Sequence, residues 1–107
     1  MKQFEIWTCN FGKDVSYGDW GIRPCIIVSN DTSNLFSNYV TVVPITTQTK
    51  RPQPTRCIIT SSTTASFALC ETIITIQKEC IGEKISELTE FEKLNIKHCL
   101  KEQLGLN

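Results

Sequence analysis

Short β-type runs, each ended by a cluster of Gly, Pro, Asn, Asp or Ser, fill this chain up to residue 88, and one capped helix follows. Strands of that length are not stable alone, so they must pair with one another into a sheet that shares one core. Residues 4–9 alternate and are rich in β formers. Residues 24–29 form a second strand, opened by Pro24, and Tyr39-Val40-Thr41-Val42-Val43-Pro44-Ile45 is the clearest buried one. Residues 56–60 resume β structure. Residues 67–76 read as one long strand in which Glu71 interrupts the apolar content, and residues 81–88 add a short last strand. Between them lie two long polar loops, 10–22 and 46–55, of the kind that often carries function. The segment 30–38 offers a helical turn capped by Asn30 or Asp31. Thr89-Glu90-Phe91-Glu92 is a capping box, Phe91, Leu94, Ile96, Cys99 and Leu100 recur near helical spacing, and Gly105 is a natural stop. Strands first and a helix last predict an α+β fold with a small, twisted, barrel-like sheet.

The length of 107 residues fits one domain, 1–107, with one modest core. No apolar run approaches the ~20 residues that span a bilayer. Met1-Lys2-Gln3-Phe4-Glu5 lacks a signal-peptide core, so a cytoplasmic location is expected. Net charge is zero, which supplies no global attraction to nucleic acid. Locally, Lys50, Arg51 and Arg56 cluster around two prolines, while acids concentrate from Glu79 onward. The cysteines at 9, 25, 57, 70, 80 and 99 contain no C-x-x-C pair, and His98 is the only histidine. That spacing holds no zinc motif. Cys9, Cys25, Cys57 and Cys70 lie in apolar runs and read as buried free thiols rather than a disulfide framework. His98 reads as an ordinary residue of the C-terminal helix.

One stretch has more structure than a strand needs. In Gly21-Ile22-Arg23-Pro24-Cys25-Ile26-Ile27-Val28-Ser29-Asn30-Asp31 an arginine stands at the mouth of an apolar strand that a polar stop closes. Val43-Pro44-Ile45-Thr46-Thr47-Gln48 ends the next strand in a similar way. Further on come Pro54-Thr55 at a strand entry, Glu71 followed by Ile73 and Thr75-Ile76, Gly82-Glu83-Lys84-Ile85, and Leu104-Gly105-Leu106. With these residues in this order over nearly its whole length, the chain resembles the MazF/PemK family of toxin–antitoxin toxins.

The resemblance implies an SH3-like small β-barrel of the MazF/CcdB type, with a short helix after the region of the second and third strands and a C-terminal helix. It also implies a two-fold homodimer, a metal-independent endoribonuclease needing no cofactor, single-stranded RNA as substrate, and a cognate antitoxin lying over the RNA groove. The family's catalytic arginine falls on Arg23 and its catalytic threonine on Thr46. Elementary chemistry suits both. When a ribose 2′-OH attacks the adjacent phosphorus, negative charge gathers on the phosphoryl oxygens. A planar, permanently charged guanidinium and a hydroxyl can donate to them, each contact contributing roughly 2–4 kcal/mol at the transition state. Arg23 is a poor base because it almost never deprotonates. Glu71, Asp19 and water remain candidates for that role, and Glu71 is equally compatible with a structural one.

RNA contacts are expected from the long loops: Trp20 by stacking on a base, or else packing over the barrel, with Gln48, Lys50, Arg51 and Arg56 on the second loop. Two departures from the family pattern stand out. A Ser-Glu-Gln-Gly-Gly-like run is replaced by Tyr17-Gly18-Asp19-Trp20-Gly21-Ile22, and Ile74 stands where a basic residue is frequent. A CcdB-like toxin that binds gyrase without catalysis is an alternative. That branch uses a tryptophan near its C-terminus, where this chain reads Leu104-Gly105-Leu106-Asn107. A peptide-binding SH3-like module is the third reading.

Overall fold

A computed structural model describes residues 1–13, 20–48, 51, 53–61 and 66–106. Strand β1 (Glu5–Asn10) is followed by β2 (Ile22–Ile27), helix α1 (Asp31–Phe36), β3 (Tyr39–Thr46), β4 (Arg56–Ile59), β5 (Ser66–Leu69), β6 (Ile74–Gln77), β7 (Ile81–Glu87) and helix α2 (Glu90–Leu104). All strand pairs are antiparallel. The order is β4-β5-β3-β2-β1-β7, with β6 on the remaining half of β3. Among the described residues the ladder does not close between its end strands, β4 and β7. A side-chain hydrogen bond joins β7 to the segment after β4 instead, from Ser86 Oγ to the Ser61 carbonyl at 2.6 Å. No described helix is long and apolar enough to cross a membrane.

The central strands, β2 from Cys25 on and β3 from Val42 on, are buried on both faces, which explains their unbroken apolar runs. Successive residues of β2 serve opposite sides. Ile26 joins Phe4, Ile6, Val43, Ile45, Ile59 and Leu88 in a cluster closed by Ile96 and Cys99 of α2. Cys25 and Ile27 join Phe11, Val40, Val42, Ile74 and Ile76 on the other side. Ile74, at 3% exposure, is a core residue and makes no surface available for a phosphate.

The segment 67–76 is two strands, not one. β5 pairs with Ile45 and Thr46 at the end of β3, and β6 pairs with Tyr39 to Val42 at its start. Between them the backbone finds other partners: the Cys70 N–H donates to the Thr55 carbonyl and the Thr72 N–H to the Leu69 carbonyl, both at 2.9 Å. Those bonds make a turn, and Glu71 sits in it.

Helix α2 is also oriented differently from its apolar spacing. Glu92, Ile96 and Cys99 face inward, whereas Phe91 and Leu94 are exposed. A carboxylate is tolerated inside because every donor it meets is satisfied by it. Glu92 accepts from the Thr89 N–H at 3.0 Å, completing the capping box, and from the Thr60 N–H at 2.8 Å and the Ser61 hydroxyl. It thereby ties the helix start to the end of β4. Gly105, at φ 67°, closes the helix in the left-handed conformation that glycine adopts without strain. Asn30, rather than Asp31, caps α1, its Oδ1 accepting the Ser33 N–H at 2.8 Å.

Candidate active site

The site is built where the β2–β3 ladder ends. Its last rung is Cys25 opposite Pro44. Pro24 and Pro44 have no N–H with which to carry the pairing further. Continuing the same register by two residues sets Arg23 opposite Thr46 at this opened end. Both residues belong to strands, Arg23 held on its other side by pairing with Cys9 of β1 and Thr46 by pairing with Phe67 of β5. A cavity of about 220 Å³ opens there, lined by Trp20, Arg23, Pro44, Thr46, Gln48 and Leu69.

Arg23 is exposed but not loose. Its Nε donates to the Trp20 carbonyl at 2.9 Å, and its guanidinium lies 6.0 Å from the Trp20 ring centroid. Holding Nε leaves the two terminal amino groups as the fork. Among the described residues no carboxylate is ion-paired with it. Trp20 is fixed in turn, half-buried with its ring edge-on to the fully buried Phe11 at 5.4 Å. Gly21 makes this approach possible: at φ 62° it turns the chain from Trp20 into β2, and its carbonyl accepts the Phe11 N–H at 2.8 Å. Trp20 therefore both packs on the core and lines the cavity.

Thr46 is 8% exposed, and its Oγ1 accepts the Gln48 N–H at 3.2 Å. Accepting that bond orients the hydroxyl and leaves its own proton to donate. Among the described residues, the cavity lining therefore offers a guanidinium, a hydroxyl and the Gln48 amide, and contains no carboxylate.

The other expected residues lie elsewhere. Glu71 is outside the cavity, in the turn after β5. Its Oε1 accepts from Arg56 Nε at 2.8 Å and its Oε2 from the Thr55 hydroxyl at 3.3 Å. Arg56 also donates to the Arg51 carbonyl at 3.0 Å, so its guanidinium holds the backbone that carries the exposed Arg51. His98 is largely exposed on α2, 3.8 Å from Glu102. Asp19 and Lys50 lie outside the described residues. Residues that pattern reading missed are Leu69 and Pro44 in the lining. Pro44 had a visible signal, a second proline beside a strand end that mirrors Pro24, whereas nothing near Leu69 marks it.

A half-open antiparallel sheet with an arginine and a threonine at the open end of one ladder defines a small α+β domain with a cavity at its sheet end. Residues 2–104 match the family of PemK-like, MazF-like toxins of type II toxin–antitoxin systems. The chain is 33% identical over 112 aligned positions to an endoribonuclease MazF of Staphylococcus saprophyticus, covering 100% of this chain and 93% of that protein. It is 34% identical over 92 positions to an endoribonuclease MazF of Staphylococcus epidermidis, covering 81% and 77%. A mycobacterial endoribonuclease solved in complex with its cognate antitoxin superposes with a TM-score of 0.85 at 26% identity, over 100% of this chain and 97% of that one. This chain belongs to the PemK-like, MazF-like toxin family, and its class of enzyme is the endoribonuclease toxin.

Proposed function

We propose that the chain cleaves single-stranded RNA by activating the 2′-OH beside a scissile phosphate, leaving a 2′,3′-cyclic phosphate and a 5′-hydroxyl, with no metal ion. The observation that supports this reading is that Arg23 and Thr46 line one cavity beyond the last rung of the β2–β3 ladder. Arg23 donates hydrogen bonds to the phosphoryl oxygens as charge builds on them, while water takes up the 2′-OH proton and protonates the leaving 5′-oxygen. Thr46 donates its free hydroxyl proton to the same phosphoryl group. The described lining favours this chemistry over one that uses a hard cation, because a hard cation needs several carboxylate or carbonyl oxygens. Trp20 and Gln48, which line the cavity, contact the RNA on either side, and Arg51 meets a phosphate on the second loop. Arg56 acts through Arg51, and Glu71 through Arg56.

Its partners are a cognate antitoxin and a second copy of the chain, in the cytoplasm. An antitoxin segment bearing acids would pair with Arg23, whose terminal amino groups face no described carboxylate, and its apolar side chains would cover Trp20 and Leu69.

Single-turnover cleavage of an unstructured RNA by Arg23→Ala tests the assignment. The expected rate loss is about 10²–10³-fold, the cost of removing one preorganised donor. Circular dichroism should be unchanged, since the side chain is exposed. Cleavage at the parent rate would remove Arg23 from the reaction.

A further inference from the structure

Three of the cysteines meet in the core, although Cys57 and Cys99 are 42 residues apart. Cys57 is on β4, Cys70 follows β5, and Cys99 is on α2. Their sulfurs all lie within 4.8 Å of one another, and the Cys57 and Cys99 sulfurs are 2.6 Å apart. We propose that Cys57, Cys70 and Cys99 form a three-sulfur site for a soft, thiophilic ion, Cu(I), reached through the cavity between β4 and α2.

A metal–sulfur bond near 2.3 Å puts three sulfurs around one ion about 4 Å apart. No two of the three sulfurs are more than 4.8 Å apart, so the cluster can close around one ion. The Cys57–Cys99 pair opens to that spacing by small rotations towards the cavity that both residues line, of about 600 Å³ and bounded also by Pro54, Ile58, Phe91 and Asn95. That cavity is the entry path a metal site requires. The donor set selects the ion. Thiolates favour Cu(I) among first-row metals, and Cu(I) accepts three ligands. Structural zinc takes four, and among the described residues no imidazole nitrogen or carboxylate oxygen joins the three sulfurs. The surroundings are apolar, with Phe4, Ile59, Ala68 and Ile96 in the same cluster, which keeps out hard, hydrated cations. In the metal-free protein the Cys57 thiol donates to the Asn95 carbonyl at 3.3 Å, a bond that is given up when the thiol loses its proton to bind the ion. On binding, each coordinated sulfur loses its S–H proton to solvent and gains a bond to copper. Copper stays in the +1 state and no electron is transferred.

The test is titration of the reduced full chain with Cu(I), without oxygen, against a chromophoric Cu(I) chelator. One ion per chain should be withdrawn from the chelator, and Cys57→Ser, Cys70→Ser and Cys99→Ser should each weaken uptake about tenfold or more. Cys9→Ser, in the cluster on the opposite face of the sheet, should leave it unchanged. Alkylation of the unsubstituted protein, mapped by mass spectrometry after brief unfolding, requires no variant: Cu(I) should protect Cys57, Cys70 and Cys99 and no others. Uptake that persists in all three variants, protection of a different set of thiols, or tighter uptake of Zn(II) than of Cu(I) would overturn the proposal. So would failure of the reduced protein to compete with the chelator.

Discussion

Arg23 and Thr46 differ in how the fold holds them, and the difference predicts how each fails. Arg23 spends Nε on the Trp20 carbonyl and keeps its fork. Arg23→Lys retains the charge but loses both the anchor and the planar pair of donors, so it should lose about 10²-fold in rate, close to the alanine variant. A rate within threefold of the parent would mean that charge alone suffices. Thr46 is nearly buried and accepts the Gln48 N–H. Thr46→Val should slow cleavage by roughly 10²-fold and cost about 1 kcal/mol of stability, because the Gln48 donor is left unmet. Thr46→Ser should restore most of both, as read by single-turnover rates and thermal melts. The arginine and the threonine were singled out in the chain through the family resemblance, since Thr46 by itself reads as a turn threonine. The commitment of Arg56 to Glu71 was not legible, since the two come together only through a turn hidden inside an apparently continuous apolar run.

At the scale of elements, the strongest connection is Glu92. Its carboxylate serves the first turn of α2 and the end of β4 together. Glu92→Ala leaves the Thr60 and Thr89 donors without their acceptor and should cost roughly 3 kcal/mol, seen as a lowered denaturation midpoint. A change under about 0.5 kcal/mol, typical of an exposed position, would contradict the tie. The capping box was readable because it is local, a threonine and a glutamate three residues apart. The inward face of the helix was not. Phe91 and Leu94 outweigh Ile96 and Cys99 in any count of apolar residues, yet a satisfied carboxylate took the inner position. The split of 67–76 was hidden for a related reason. Both halves are apolar and pair with the same strand, so periodicity has no break to show, and only the backbone bonds of Cys70 and Thr72 mark the turn.

For the whole molecule, two buried carboxylates set the response to acid. Burial pushes Glu5 up, but the Lys84 ammonium at 2.9 Å, the Lys2 N–H and the Trp7 indole N–H outweigh it and hold the carboxyl down at about 2. Glu92 also lies below its ordinary value: burial opposes this, but the Ser61 hydroxyl and the Thr89 and Thr60 N–H groups prevail. A carboxyl lowered on folding contributes stability that is complete above its unfolded value, here 4.5, and is lost as pH falls through the folded value. The melting temperature should therefore hold from neutral pH to about 5 and fall between 4.5 and about 2, and Glu5→Gln should flatten part of that fall. A melting temperature insensitive to acid would show that these carboxylates are not linked to folding. The general architecture, strands followed by one helix on a curled sheet, was visible from punctuation alone. Which strands lie side by side was not, because β4 and β5 join β3 through contacts that no local pattern records.

Metal-free cleavage of RNA by an arginine and a threonine at one open strand end is the proposal on which the rest depends. The most direct measurement incubates the purified protein and Arg23→Ala with a long unstructured RNA in excess EDTA and maps the product ends. Discrete cuts by the parent, with 5′-hydroxyl and 2′,3′-cyclic phosphate ends, and their loss in the variant are expected. Cleavage abolished by EDTA, 5′-phosphate ends, or full activity in Arg23→Ala would contradict the proposal.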